Sequence, residues 1–189
     1  MRTFVAIPLQ TDSYALLKAL QEHLRASSAD VRWTAVASIH LTLKFLGEID
    51  PAAVGRLAGA FRAIAASQEA FSLRLGGLGA FPGPRNPRVV WCGVQGDLEQ
   101  LRKLQERVDE VCAQLSFPAE EREFQPHLTL GRIRSGRNLQ RLSECIRIGP
   151  DLQCGLQADC FNIYRSTLRP SGALYDVLES FALCAREPE

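Results

Sequence analysis

Hydrophobic positions along the chain recur with two spacings, alternate residues in some stretches and every three or four in others. The two spacings take turns in nearly the same order twice. An apolar run from Thr3 to Leu9 predicts a buried strand, and Tyr14, Leu17, Leu20 and Leu24 predict a helix over Thr11 to Leu24. His40 to Leu46 alternates as a second strand. Asp50-Pro51 then marks a helix start, with an N-cap acid and proline at the first helical position. Val54, Leu57, Ala58, Phe61 and Ala65 give that helix one apolar face. Phe71 to Leu75 alternates again, and the glycines and prolines from Gly76 to Pro84 predict a turn that ends the half.

The second half runs the same programme. Val89 to Val94 reads as a strand, and Asp97 caps a helix with Leu98, Leu101, Leu104, Val108, Val111, Cys112 and Leu115 on one face. A strand from His127, a short helix near Leu139 to Ile146, and a strand pair near Leu156 to Tyr164 and Leu174 to Leu183 follow. Within this repeat lies an identical tetrapeptide, His40-Leu41-Thr42-Leu43 and His127-Leu128-Thr129-Leu130, its copies 87 residues apart. Phe4 precedes His40 by 36 residues and Val90 precedes His127 by 37, so the tetrapeptides sit in matched contexts. A duplicated unit packs most simply about an approximate two-fold axis. The expected fold is α+β and bilobal: a single domain over 1–189, with repeat halves of about 1–86 and 87–189. Two mainly antiparallel sheets, flanked by helices, would enclose a central cleft.

Alternation along a strand places His40 and Thr42 on one face and Leu41 and Leu43 on the other, and the second copy does the same. One such strand is unremarkable, because threonine is a good strand former. Two copies that each keep a polar pair on one face point to a shared polar site, since buried polar groups cost stability unless partnered. Two imidazoles and two hydroxyls around one group suit proton transfer. A neutral histidine takes a proton from water, an imidazolium gives one to a leaving oxygen, and both forms are accessible near a pKa of about 6.5. The hydroxyls can hold the non-bridging oxygens of a phosphate. A strained 2′,3′-cyclic phosphodiester fits this chemistry. Unstrained diesters usually recruit metal ions.

Strict alternation also puts Lys44 on the His40 face as a second cation, and Phe45 on the leucine face as core. Arg132 falls on the leucine face of its strand, unless a bulge at Gly131 turns it toward His127; otherwise it serves the lobe surface. Five arginines between Arg132 and Arg147 face one acid, Glu144, so an anion would be welcome there. The net charge of +1 argues against binding of long nucleic-acid duplexes. Each motif offers one histidine and no neighbouring cysteine or acid, so no metal site is expected, and no phosphate-cradling glycine loop occurs. His23, on the first helix, reads as a partly exposed structural residue. The six cysteines form no CxxC pair and read as reduced thiols; Cys154 and Cys160 could meet on one strand face. With no signal peptide and no long apolar run, a cytoplasmic location and no membrane partner are expected.

These motifs, with Arg2-Thr3-Phe4-Val5-Ala6-Ile7, the extended His40 to Gly47, Gly79-Ala80-Phe81-Pro82, Pro87 to Trp91, Pro126 to Arg132, Ser166-Thr167-Leu168 and Gly172 to Tyr175, resemble the RNA 2′,3′-cyclic phosphodiesterase family. That family, also called 2′-5′ RNA ligases, belongs to the two-histidine phosphoesterase superfamily. The resemblance implies metal-independent hydrolysis of a terminal 2′,3′-cyclic phosphate to a 2′-phosphate, with 2′-5′ joining as the reverse reaction. His40 would protonate the leaving 3′ oxygen, His127 would activate water, Thr42 and Thr129 would hold the phosphate, and Arg132 matches a basic position after the second motif. Implied partners are RNA ends or nucleoside cyclic phosphates, with no cofactor. A monomer suffices, since one chain supplies both motifs. Two other readings keep the site: a 2′-5′ oligonucleotide phosphodiesterase, and an RNA-end binding protein without turnover.

Overall fold

The computed structural model describes residues 1–119, 122–169 and 172–185. Among the described residues nine strands form two sheets, accompanied by four α-helices. They are β1 (Arg2–Ile7), α1 (Asp12–Arg25), β2 (Val31–Trp33), β3 (Leu41–Glu48), α2 (Ala53–Ala65), β4 (Phe71–Phe81) and β5 (Val89–Gly96), then α3 (Leu98–Gln114), β6 (His127–Ile133), α4 (Leu139–Arg147), β7 (Gln153–Ala158), β8 (Cys160–Arg169) and β9 (Gly172–Ala182). The first sheet has the order β3-β1-β8-β9 and the second β2-β6-β5-β4-β7. Every pairing between these strands is antiparallel.

Neither sheet belongs to one half of the chain. β8 and β9 from the second half complete the first sheet, and β4 from the first half joins β5 and β7 in the second. The helices cross over too: α2 and α3 pack together behind the first sheet, α1 and α4 behind the second. Leu17, Leu20 and Leu24 of α1, Leu57 and Phe61 of α2, and Leu101, Leu104 and Val108 of α3 are buried, as their helical spacing requires. All enter one continuous apolar core. The exchange means that separating the two halves of the chain would break strand pairing as well as side-chain contact.

Several elements depart from the sequence pattern for local reasons. Gly76 to Phe81 continues β4 instead of turning away, with Gly77 at φ +74° where the ladder to β5 slips by a residue. Further along β4, Gly79 leaves room for the Trp91 indole, which a Cβ would meet at 2.1 Å. α2 starts at Ala53, because the Asp50 carboxylate accepts the Ala52 N–H at 2.9 Å and holds a turn before the helix. The extended run is interrupted at Asp159, so Cys154 on β7 and Cys160 on β8 lie in different sheets. His23 donates from Nε2 to the Cys145 carbonyl at 2.8 Å, linking α1 to α4.

The largest departure is Lys44. It is 1% exposed and faces the core, paired with Asp109 of α3 and donating to the Pro118 carbonyl at 2.7 Å. The expectation that it joins the His40 face is corrected. In the ladder to β1, Val5 stands opposite Lys44 and Ala6 opposite Thr42, so Leu43 is an inserted residue that reverses the alternation beyond it. The same slip sends Phe45 outward, 58% exposed, instead of into the core.

The Lys44 ammonium, buried beneath the motif strand, needs its partners. Asp109→Ala should lower stability by about 3 kcal/mol, the low end for breaking a buried pair, because Asp109 keeps some solvent contact. Lys44→Met removes the buried charge itself and should cost less. Urea titrations with a shifted midpoint and unchanged slope check both; an equal, small effect of the two would contradict the burial argument.

Candidate active site

β3 lies at the edge of the first sheet and touches β6 of the second where the sheets adjoin. His40, Thr42, His127 and Thr129 all line the resulting cleft of about 310 Å³. Each histidine is locked in the same way. The Nδ1 of His40 lies 3.0 Å from the Ser38 carbonyl and the Nδ1 of His127 lies 2.7 Å from the Gln125 carbonyl, two residues back in both cases. A carbonyl can only accept, so Nδ1 must carry the proton, and Nε2 is left as the working nitrogen. Among the described residues neither Nε2 nor either threonine hydroxyl has a hydrogen-bond partner.

The rings are set among aromatic side chains. Phe4 stacks on His40 at 4.4 Å between centroids, with Tyr164 stacked on Phe4 at 5.1 Å, and Tyr175 meets His40 edge-on at 5.1 Å. Phe81 meets His127 edge-on at 4.8 Å. This packing removes water and so disfavours the charged imidazolium. Burial pulls His40 down from 6.5 to about 4, against a smaller upward pull from the Ser38 carbonyl. Burial lowers His127 as well, opposed by the Gln125 carbonyl and assisted by the Arg132 guanidinium.

Arg132 reaches the cleft through a second bulge. Val90 pairs with Gly131 and Trp91 with Thr129, so Leu130 is the inserted residue, the counterpart of Leu43. The two strands are therefore superimposable position by position: His40 with His127, Thr42 with Thr129, Lys44 with Gly131, and Phe45 with Arg132. On this register the counterpart of Val90 is Val5, one residue after the Phe4 that the spacing suggested. Of the two open placements for Arg132, the bulge holds, although it centres on Leu130.

The cleft has further residues that alternation alone did not bring there. Arg2 and Arg32 line it with Arg132, as do Phe45 and Tyr175, and no carboxylate is among the lining residues described. Arg2 shares the face of Phe4 on β1, a signal present in the sequence. Arg32 sits on a strand of three residues, too short to show a period. Burial raises Tyr175, with Arg2 and Arg132 pulling the other way. Among the described residues no group of three or more histidines, cysteines or carboxylates could hold a metal ion. No helix among them is long and apolar enough to cross a membrane. The described cysteines are free thiols, and burial pushes Cys92 and Cys112 up to about 12, far from the reactive thiolate range.

Comparison with known proteins agrees with this geometry. The chain is 32% identical over 184 residues to an RNA 2′,3′-cyclic phosphodiesterase of Methanothermobacter thermautotrophicus, covering 97% of this chain and 99% of that one. It is 33% identical over 179 residues to an RNA 2′,3′-cyclic phosphodiesterase of Thermotoga maritima, covering 94% and 93%. Among solved structures it is similar to TT0787 of Thermus thermophilus, with a TM-score of 0.79, 27% identity and coverage of 97% and 98%. E. coli LigT complexed with 3′-AMP gives a TM-score of 0.74 at 27% identity, covering 96% and 97%. The model of the LigT-like phosphoesterase family matches twice, over residues 7–91 and 94–175, once for each half of the repeat. With two family matches spanning most of its length, the chain belongs to the LigT-like phosphoesterases.

Proposed function

We propose that this protein hydrolyses terminal RNA 2′,3′-cyclic phosphates to 2′-phosphates by paired histidine acid–base catalysis. The observation that carries the reading is the pair of matched imidazoles, each with Nδ1 tied to a carbonyl and Nε2 left for one shared, arginine-lined cleft. The family and its RNA 2′,3′-cyclic phosphodiesterase relatives supply the substrate class.

In the mechanism, the Nε2 of His127 takes a proton from water as its oxygen forms a bond to phosphorus. The bond from phosphorus to the 3′ oxygen breaks, and that oxygen takes the proton from the Nε2 of His40. Thr42 and Thr129 donate to the non-bridging oxygens, where negative charge sits throughout. Each step uses neutral or protonated imidazole alone. After turnover His40 has lost a proton and His127 has gained one, and exchange with solvent restores the pair. Joining runs in the same direction: a 5′-hydroxyl in place of water would give its proton to His127 as its oxygen bonds phosphorus, and the bond to the 3′ oxygen would break with the proton of His40, leaving a 2′-5′ diester. One chain supplies both motifs, so a monomer is competent.

His40→Ala and His127→Ala should each lower kcat by about 10²–10⁴-fold on a 2′,3′-cyclic nucleotide. Thr42→Ala and Thr129→Ala should cost about 10–100-fold, up to the lower range for losing one oxyanion donor. The roles separate on a nucleoside phosphodiester with a p-nitrophenol leaving group, whose anion departs without protonation. His40→Ala should recover most of its loss there, and His127→Ala should not. Recovery by His127→Ala instead would exchange the two roles.

The pH profile follows from the direction of the pKa shifts. Both histidines are lowered in the free enzyme, so above pH 6.5 both rings are neutral, and the singly protonated pair accumulates only as pH falls. The kcat/KM profile should be bell-shaped with its maximum below 6.5. A bound phosphodiester anion favours the imidazolium, so the kcat maximum should lie at higher pH than that of kcat/KM. Stopped assays between pH 4 and 9 check this, and a kcat/KM maximum above 7 would contradict the desolvation of the pair.

A further inference from the structure

We propose that Arg32 and Arg132 together hold a second phosphate, the one on the 5′ side of the terminal nucleotide, while the histidines and threonines hold the cyclic phosphate. The proposal deepens the reading above and rests on it. In the ladder between β2 and β6, Arg32 stands directly opposite Arg132. Both are exposed, and both line the cleft. Like charges set opposite each other on neighbouring strands destabilise a sheet.

Elsewhere in this protein the arrangement is the reverse. Arg165 stands opposite Asp176 and bonds it at 2.9 Å, and Arg2 stands opposite Glu48. Among the described residues neither Arg32 nor Arg132 has an ion-pair partner. Two guanidinium groups side by side at the wall of a cleft are stable when an anion bridges them, and their planar forks suit the several oxygens of a phosphate.

The reacting phosphate does not require this pair, because two hydroxyls and two ring nitrogens already surround it. Arg132 lies three residues past Thr129 on β6, on the order of 7–10 Å along the strand once the bulge is allowed for. That separation is comparable to one step between successive phosphates of a single strand. An RNA ending in a cyclic phosphate has no phosphate beyond that end, so the neighbouring anion is the 5′ one. Among the described strands β2 is the edge of its sheet and pairs with β6 alone. Arg25 is not part of the pair: its guanidinium lies 4.7 Å over the Trp33 ring.

The test compares adenosine 2′,3′-cyclic phosphate with the same nucleotide carrying an added 5′-phosphate. Wild-type kcat/KM should be at least tenfold higher for the 5′-phosphorylated substrate. Arg32→Ala should bring that ratio close to one, and Arg32→Lys, which keeps the charge without the fork, should fall between. Arg32→Gln serves as a second neutral variant should the alanine protein fold poorly. A wild-type ratio near one, or a ratio unchanged in both neutral variants, would overturn the second-phosphate site. Absence of wild-type turnover on both substrates would instead overturn the hydrolytic reading beneath it.

Discussion

A single inserted residue in each motif strand decides which side chains reach the cleft. Leu43 and Leu130 occupy the bulges, and each reverses the alternation that follows it. Before the bulge, histidine and threonine face the cleft and the leucines face the core. After it, Lys44 or Gly131 turns inward and Phe45 or Arg132 turns outward. The polar pair and Phe45 or Arg132 therefore share one concave surface on a strand that a flat ladder would have split between two faces. Without the slip, Lys44 would crowd a second cation against His40, and Arg132 would be driven into the apolar core behind β6.

The inward position at each bulge explains a difference between the halves. Gly131 has almost no space around it, since a Cβ there would lie 2.6 Å from Val31 and 3.1 Å from Trp33. That crowding comes from β2, which pairs only with the second motif strand. The first motif strand is a sheet edge without such a neighbour, and its inward position accommodates a lysine whose ammonium reaches Asp109 and the Pro118 carbonyl. The extra strand thus accounts for a glycine in one half where the other has a buried cation. It also carries Arg32 to the cleft.

Much of this was legible in the sequence, for a definite reason. The helices carry three or four apolar residues per two turns, and the tetrapeptide repeats without change, so element order and the four central side chains follow from periodicity. Alternation failed where the backbone itself slipped: at Lys44, Phe45 and Arg132, each just beyond a bulge that no side chain announces. It also failed at Gly76 to Phe81, where glycines that usually mark a turn instead permit a twisted strand with a close backbone approach. The exchange of β4 and β8 between sheets leaves no local trace, because both strands bury the same kinds of residues whichever sheet they join. Arg32 was missed because three residues cannot display a period.

The approximate two-fold symmetry of the backbone does not extend to what it displays. At the equivalent outward position, one half presents the exposed ring of Phe45 and the other the guanidinium of Arg132. His40 lies against a stacked pair of rings, Phe4 and Tyr164, whereas His127 has Phe81 edge-on and a cation nearby. A nucleoside cyclic phosphate is equally lopsided, since its ribose carries a flat base that can stack in one direction and the charged 5′ end in another. A symmetric cleft would accept it in two opposite orientations, and in one of them water would be delivered to the wrong side of the bond that breaks. Unequal ends penalise the second orientation, because it sets the charged end against aromatic rings instead of a guanidinium. On the proposed mechanism, duplication supplies two matched proton carriers, and divergence two residues past each bulge, at Phe45 and Arg132, lets them take different jobs.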